Sequence, residues 1–88
     1  MIVRRAPDFE KCIEKHDFSE DERRLIDKAL RLFEADPKYP GLWHARLEGH
    51  SGCYYIRAGR RIRLVYRLEG EEALFWWVGA KPDFEHKF

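Results

Sequence analysis

Residues 57–67 carry five arginines, Arg57, Arg60, Arg61, Arg63 and Arg67, and no acidic residue. From Cys53 to Arg67 apolar and polar side chains alternate at strand period. Tyr55, Arg57, Arg61, Arg63 and Arg67 therefore share one face, and Tyr54, Ile56, Ile62, Leu64, Tyr66 and Leu68 share the other. A guanidinium is planar, permanently charged and matched to phosphate oxygens. A sheet face with several guanidiniums, an aromatic and no carboxylate suits a phosphodiester chain. Its chemistry would be stabilisation of negative charge on the phosphate oxygens by donors already in place. The competing reading is an arginine-rich solvated face that keeps the protein soluble.

Around this pair of strands the remaining candidates take supporting roles. Arg60 and Arg61 adjoin the Gly59 turn, where flexible side chains would hold backbone phosphates or the acids of a protein partner. Tyr55 could stack on a base, a contact worth about 1–3 kcal/mol, or simply cover its neighbours. Lys81 and His86 follow the last strand and are placed to reach the rim of the arginine face, with His86 able to exchange protons near neutral pH. His44 is in phase with Leu42 and Arg46, which turns it and Arg46 toward the same groove. Consecutive Trp76 and Trp77 should point to opposite faces, one into the core and one outward. Neither the four histidines nor the two cysteines, Cys12 and Cys53, show metal-ligand spacing, so no metal and no cofactor are expected.

Positioning these side chains requires a sheet and something to back it. Ile2–Arg5 is a short β-prone opening, and Pro7, Asp8 and Glu10 favour a helix start with Phe9, Cys12 and Ile13 at helical spacing to about His16. Ser19-Glu20-Asp21-Glu22 is a capping box. Leu25, Ile26, Ala29, Leu30, Leu32 and Phe33 then form an apolar stripe ended by Asp36-Pro37. Beyond Gly41 the period changes, predicting strands over Leu42–Glu48, Cys53–Ala58, Ile62–Leu68 and Ala73–Val78, joined by glycine turns short enough to force antiparallel neighbours. Residues 79–88 read as a polar tail. The expectation is a single α+β domain over residues 1–88, ordered β-α-α-β-β-β-β, with two N-terminal helices packed on one face of a small antiparallel sheet and the other face open.

Composition narrows the function classes. The chain is 44% hydrophobic and 15% aromatic, which argues against disorder. Net charge is only +1: residues 1–50 hold ten Lys/Arg against eleven Asp/Glu, and residues 51–88 hold seven against five. Binding to nucleic acid through bulk charge is thereby excluded, and basic character is confined to one hairpin. With no secretory signal and no apolar run of membrane-spanning length, a cytoplasmic chain with no membrane partner is expected.

The element order, together with Pro40-Gly41-Leu42, Leu47-Glu48-Gly49, Cys53-Tyr54-Tyr55-Ile56-Arg57, Arg61-Ile62-Arg63-Leu64-Val65-Tyr66-Arg67 and Trp77-Val78-Gly79, resembles the RelE/ParE superfamily of toxin–antitoxin systems over essentially the whole chain. The resemblance implies a toxin held inactive by a cognate antitoxin. In the RelE branch such a toxin is an mRNA endonuclease acting on the ribosome, where the message's 2′-hydroxyl attacks the adjacent phosphate. It also implies that Arg63 contacts the scissile phosphate and that Arg57 is a basic residue of the preceding strand. Lys81 stands where relatives carry arginine or histidine, and Phe84 where many carry a tyrosine. Phe84 could stack on a base but cannot transfer a proton. The ParE branch shares the fold but inhibits DNA gyrase. That reading, and one of an inactive relative serving only as a binding module, stand beside the nuclease.

Overall fold

A computed structural model describes all residues, 1–88. The first strand, β1 (Ile2–Arg5), is followed by helices α1 (Pro7–His16) and α2 (Glu20–Ala35). The α2 start is held as its residues dictate: Ser19 Oγ accepts from the Glu22 amide at 3.1 Å while the Glu22 carboxylate accepts from the Ser19 amide at 2.9 Å. Asp17, at φ +54°, ends α1, and Asp36 in extended backbone before Pro37 ends α2.

The polypeptide then enters the sheet through a short 3-10 turn, Pro40–Leu42, and a strand of only two residues, β2 (Ala45–Arg46), in place of the expected Leu42–Glu48 strand. Pro40 starts the turn, and Trp43 at φ +48° breaks the extended run. Three long strands follow: β3 (Cys53–Ala58), β4 (Ile62–Glu69) and β5 (Glu72–Ala80). Spatial order is β1-β5-β4-β3-β2. The neighbours from β2 to β5 are antiparallel, as their tight turns demand, whereas β1 lies parallel to β5. The sheet is therefore mixed, not purely antiparallel. Two helices separate β1 from the hairpins, so no turn dictates its direction, and it takes the free edge of β5.

Both helices cover one face. Phe9, Ile26, Phe33, Leu42, Ile56, Leu64, Tyr66, Phe75 and Val78 close the main core there. The α2 stripe divides: Ile26, Ala29, Leu30 and Phe33 are buried, but Leu25 is 41% exposed, resting beside the Gly59 turn.

Residues 81–88 are no loose tail. Lys81–Lys87 form a third helix, α3. Pro82 and Asp83 suit its first turn, His86 and Lys87 its last, and Phe84 and Phe88 lie one turn apart on the side facing the sheet. They pack over Leu47, Cys53, Val65, Tyr55, Trp76 and Trp77 in a second, smaller cluster. His16 Nε2 of α1 lies 3.3 Å from Asp83 Oδ2, joining the two helical ends. The face expected to be open is thus half covered. A β-bulge explains why both tryptophans are on it. Val65 pairs with Trp77 and Tyr66 with Phe75, so Trp76 is the extra residue and the alternation is reset.

Candidate nucleic-acid interface

Arg57 and Arg63 are direct cross-strand partners in the β3–β4 ladder, on the face away from α1 and α2. Opposed residues in an antiparallel pair have Cβ atoms about 4.5–5.5 Å apart, and like charges so placed repel. Neither arginine takes part in a salt bridge. Arg63 is only 3% exposed, and its Nη1 donates to the carbonyl oxygens of Arg60 at 3.0 Å and Ile62 at 3.3 Å. Burial, reinforced by the neighbouring Arg57 charge, pushes the Arg63 guanidinium below its ordinary pKa, while Tyr55 and Glu85 act in the opposite sense. The Arg57 Nε is buried with no hydrogen-bond partner. Two guanidiniums held together without a matched carboxylate form a site that an anion would complete.

The other expected members sort by register. Arg60 and Arg61 occupy the exposed turn after Gly59, at the Arg63 end of the hairpin. Ala80 pairs with Ile62, and the Lys81 amide donates to the Arg61 carbonyl at 2.6 Å, which brings exposed Lys81 to the same end. Tyr55 and Phe84 sit on the arginine face but pack on one another, ring centroids 4.7 Å apart. Arg67 turns to Glu69, Nη2 to Oε2 at 2.8 Å, and flanks the site.

Three expectations are corrected. Arg46 pairs with Tyr54, so its side chain leaves the sheet on the α2 side and does not share the arginine face. His86 opens toward the cleft lined by Cys12, Lys15, His16 and Asp83, between α1 and α3, and it is Glu85 that acts on Arg63. His44 bonds the Tyr66 hydroxyl and stacks on Tyr54 and Tyr66, on the core side. These positions follow from the shortness of β2 and the helical turn of α3, neither of which the strand-period reading contained. No group of three or more His, Cys, Asp or Glu side chains gathers in a metal-binding cluster.

Burial holds the His44 imidazole below its ordinary pKa, and burial, with Tyr54 alongside, raises the Tyr66 hydroxyl. The folded protein therefore keeps His44 neutral where the unfolded chain takes up a proton, and stability falls as pH drops through about 6.5. Urea midpoints should be lower at pH 5 than at pH 7, and His44→Gln should flatten that dependence. Equal slopes for the two proteins would contradict the assignment.

One residue near the site escaped the sequence reading. Trp43 is 65% exposed, and the Arg57 guanidinium carbon lies 5.0 Å from its ring centroid. A left-handed conformation in a non-glycine residue costs roughly 1–2 kcal/mol. No local signal marked it: Ala45 and Leu47 share its phase at strand period, so the run from Leu42 reads as one continuous strand.

No family model and no curated protein matches this sequence. Solved structures do. YafQ from E. coli superposes with a TM-score of 0.75 at 13% identity, covering 93% of this chain and 94% of that one. The E. coli DinJ–YafQ toxin–antitoxin complex also aligns, with a TM-score of 0.65 at 14% identity and 92% of each chain covered. A copper-bound mutant toxin from Helicobacter pylori gives a TM-score of 0.70 at 17% identity, covering 94% and 97%. A YoeB/ParE toxin from Agrobacterium tumefaciens gives 0.66 at 17%, covering 85% and 92%. At such identities the likeness speaks for the backbone, and it does so over nearly the full length of each chain. The chain has the RelE-like fold shared by the YafQ and YoeB/ParE toxins.

Proposed function

We propose that this protein is the toxin of a toxin–antitoxin pair and a ribosome-dependent mRNA endonuclease. The observation that carries the reading is the opposed Arg57–Arg63 pair, neither member in a salt bridge, beside the Arg60, Arg61 and Lys81 cations at one end of the sheet. The fold common to YafQ and the YoeB/ParE toxins supports the toxin class, and the complex of YafQ with DinJ supports an antitoxin as partner.

In this proposal the message's 2′-oxygen attacks the adjacent phosphorus and the P–O5′ bond breaks, leaving a 2′,3′-cyclic phosphate and a 5′-hydroxyl. The proton lost from the 2′-hydroxyl and the one gained by the leaving oxygen must each be carried. Arg63, fixed by two carbonyls, and Arg57 stabilise the charge on the phosphate in transit. Lys81 extends the field to the flanking phosphate. No helix is long and apolar enough to cross a membrane, and the proposed site of action is the cytoplasm.

One observation favours a second reading. His16 and His86 lie toward the α1–α3 cleft, His44 in the main core and His50 against Phe88, so no imidazole sits beside the arginine pair. A ParE-like toxin that binds gyrase needs none. A short pulse of expression followed by mapping of RNA ends decides between them. Breaks inside translated codons are expected. Intact messages together with loss of supercoiling by gyrase would replace the nuclease with the gyrase inhibitor.

A further inference from the structure

Among the aromatic side chains on the arginine side, most are already engaged. Tyr55 and Phe84 pack together, and Trp76 and Trp77 are half-buried against Phe88. Trp43 is different. It stands 65% exposed at the edge of β3, where pairing with β2 stops at Tyr55 and leaves Ile56–Ala58 paired on the β4 side alone. Its one described aromatic or cationic contact is the Arg57 guanidinium. That same guanidinium has a buried Nε without a partner and faces Arg63 across the ladder. The chain keeps a large apolar ring in water, in a backbone conformation better suited to glycine, next to its cationic pair.

We propose that Trp43 is a stacking platform for an unpaired nucleobase of the RNA whose phosphate lies on Arg57 and Arg63. Indole offers the largest π-face of any side chain, and base stacking on it is tolerant of sequence. Arg57 fixes the ring orientation from one side by cation–π attraction, so the platform is set before RNA arrives. The inference rests on the phosphate reading of the arginine pair and adds a second point of attachment, which would set the base relative to the scissile bond. An apolar anchor for a protein segment is the competing occupant. The cationic neighbour on the ring, and the absence of any other exposed large aromatic beside the pair, favour the base.

The test measures binding of a short 2′-O-methylated oligoadenylate, which cannot be cleaved through its 2′-oxygen, and of an abasic oligomer of equal length. Full-length wild type, Trp43→Gly, Trp43→Phe and Arg63→Leu are compared, with the thermal shift given by inorganic pyrophosphate as a separate readout. Trp43→Gly should bind the oligoadenylate roughly 5- to 150-fold more weakly. Its affinity for the abasic oligomer, its pyrophosphate shift and its Tm should not fall, since glycine relieves the backbone. Trp43→Phe should recover most of the binding. Arg63→Leu should lose the pyrophosphate shift. If Trp43→Gly binds the oligoadenylate like wild type while Arg63→Leu does not, the platform is refuted and the arginine site survives. A wild type that answers neither pyrophosphate nor oligoadenylate removes both. A fall in Tm without selective loss of base-dependent binding makes Trp43 structural. Unchanged RNA binding with weakened neutralisation by a co-expressed antitoxin assigns it to protein recognition, and either result overturns the proposal.

Discussion

Arg63→Leu should lose growth inhibition on expression, with RNA cleavage falling roughly 100- to 1,000-fold, the usual consequence of deleting one preorganised donor at a developing oxyanion. Its fold should survive. Arg63 is a buried charge opposite another charge of the same sign, and both burial and repulsion work against the native state. Leucine keeps part of the buried volume and removes both penalties. The loss is that the Arg60 and Ile62 carbonyls no longer receive the guanidinium. These opposing effects should leave Tm within several degrees of wild type, where 1 kcal/mol corresponds to about 4–8 °C for a domain of this size. Arg57→Gln should also relieve repulsion, with a smaller loss of activity because Arg57 is not anchored by carbonyls. A folded Arg63→Leu protein that arrests growth as wild type does would remove the arginine pair from the mechanism.

Phe33→Ala should unfold a large part of the population. Phe33 is 0% exposed at the centre of the helix–sheet interface, edge-on to Phe75 at 5.4 Å and tilted against Tyr66 at 5.0 Å, with His44 at 6.1 Å. Truncating a buried phenylalanine costs about 3–5 kcal/mol. A domain of this length has in total only about 4–13 kcal/mol of stability. The urea midpoint should drop steeply and far-UV helicity with it. Leu25→Ala, on the same helix and the same apolar stripe but 41% exposed, should cost well under 1 kcal/mol. Similar losses for the two variants would mean that α2 does not pack as described. Activity measured in Phe33→Ala would track the folded fraction, which separates it from Arg63→Leu.

Much of this architecture was written in local patterns. The capping box at Ser19–Glu22, the stop at Asp36-Pro37, the Cys53–Ala58 strand and the glycine turns are short-range devices, complete within a few residues. Their meaning does not depend on what lies across the molecule, and strand alternation alone put Arg57 and Arg63 on one face. The α3 helix was harder to see. Seven residues have little helical stability by themselves, and Lys81–Lys87 is held by Phe84 and Phe88 against a cluster assembled from three strands.

The sequence by itself determined the order of elements as far as β5, the core face of the hairpins and the concentration of positive charge at residues 57–67. Tertiary structure alone decided that β1 runs parallel to β5, that a bulge puts Trp76 beside Trp77, that Arg46 and His86 lie away from the arginine pair, and that Trp43 stands next to it. The physical reason is common to all four. A period of two or 3.6 residues gives a side chain its direction within an element, but a one-residue bulge, a broken strand or a docked terminal helix resets that direction. Such resets are stabilised by contacts between residues far apart in the chain, and no local pattern encodes them.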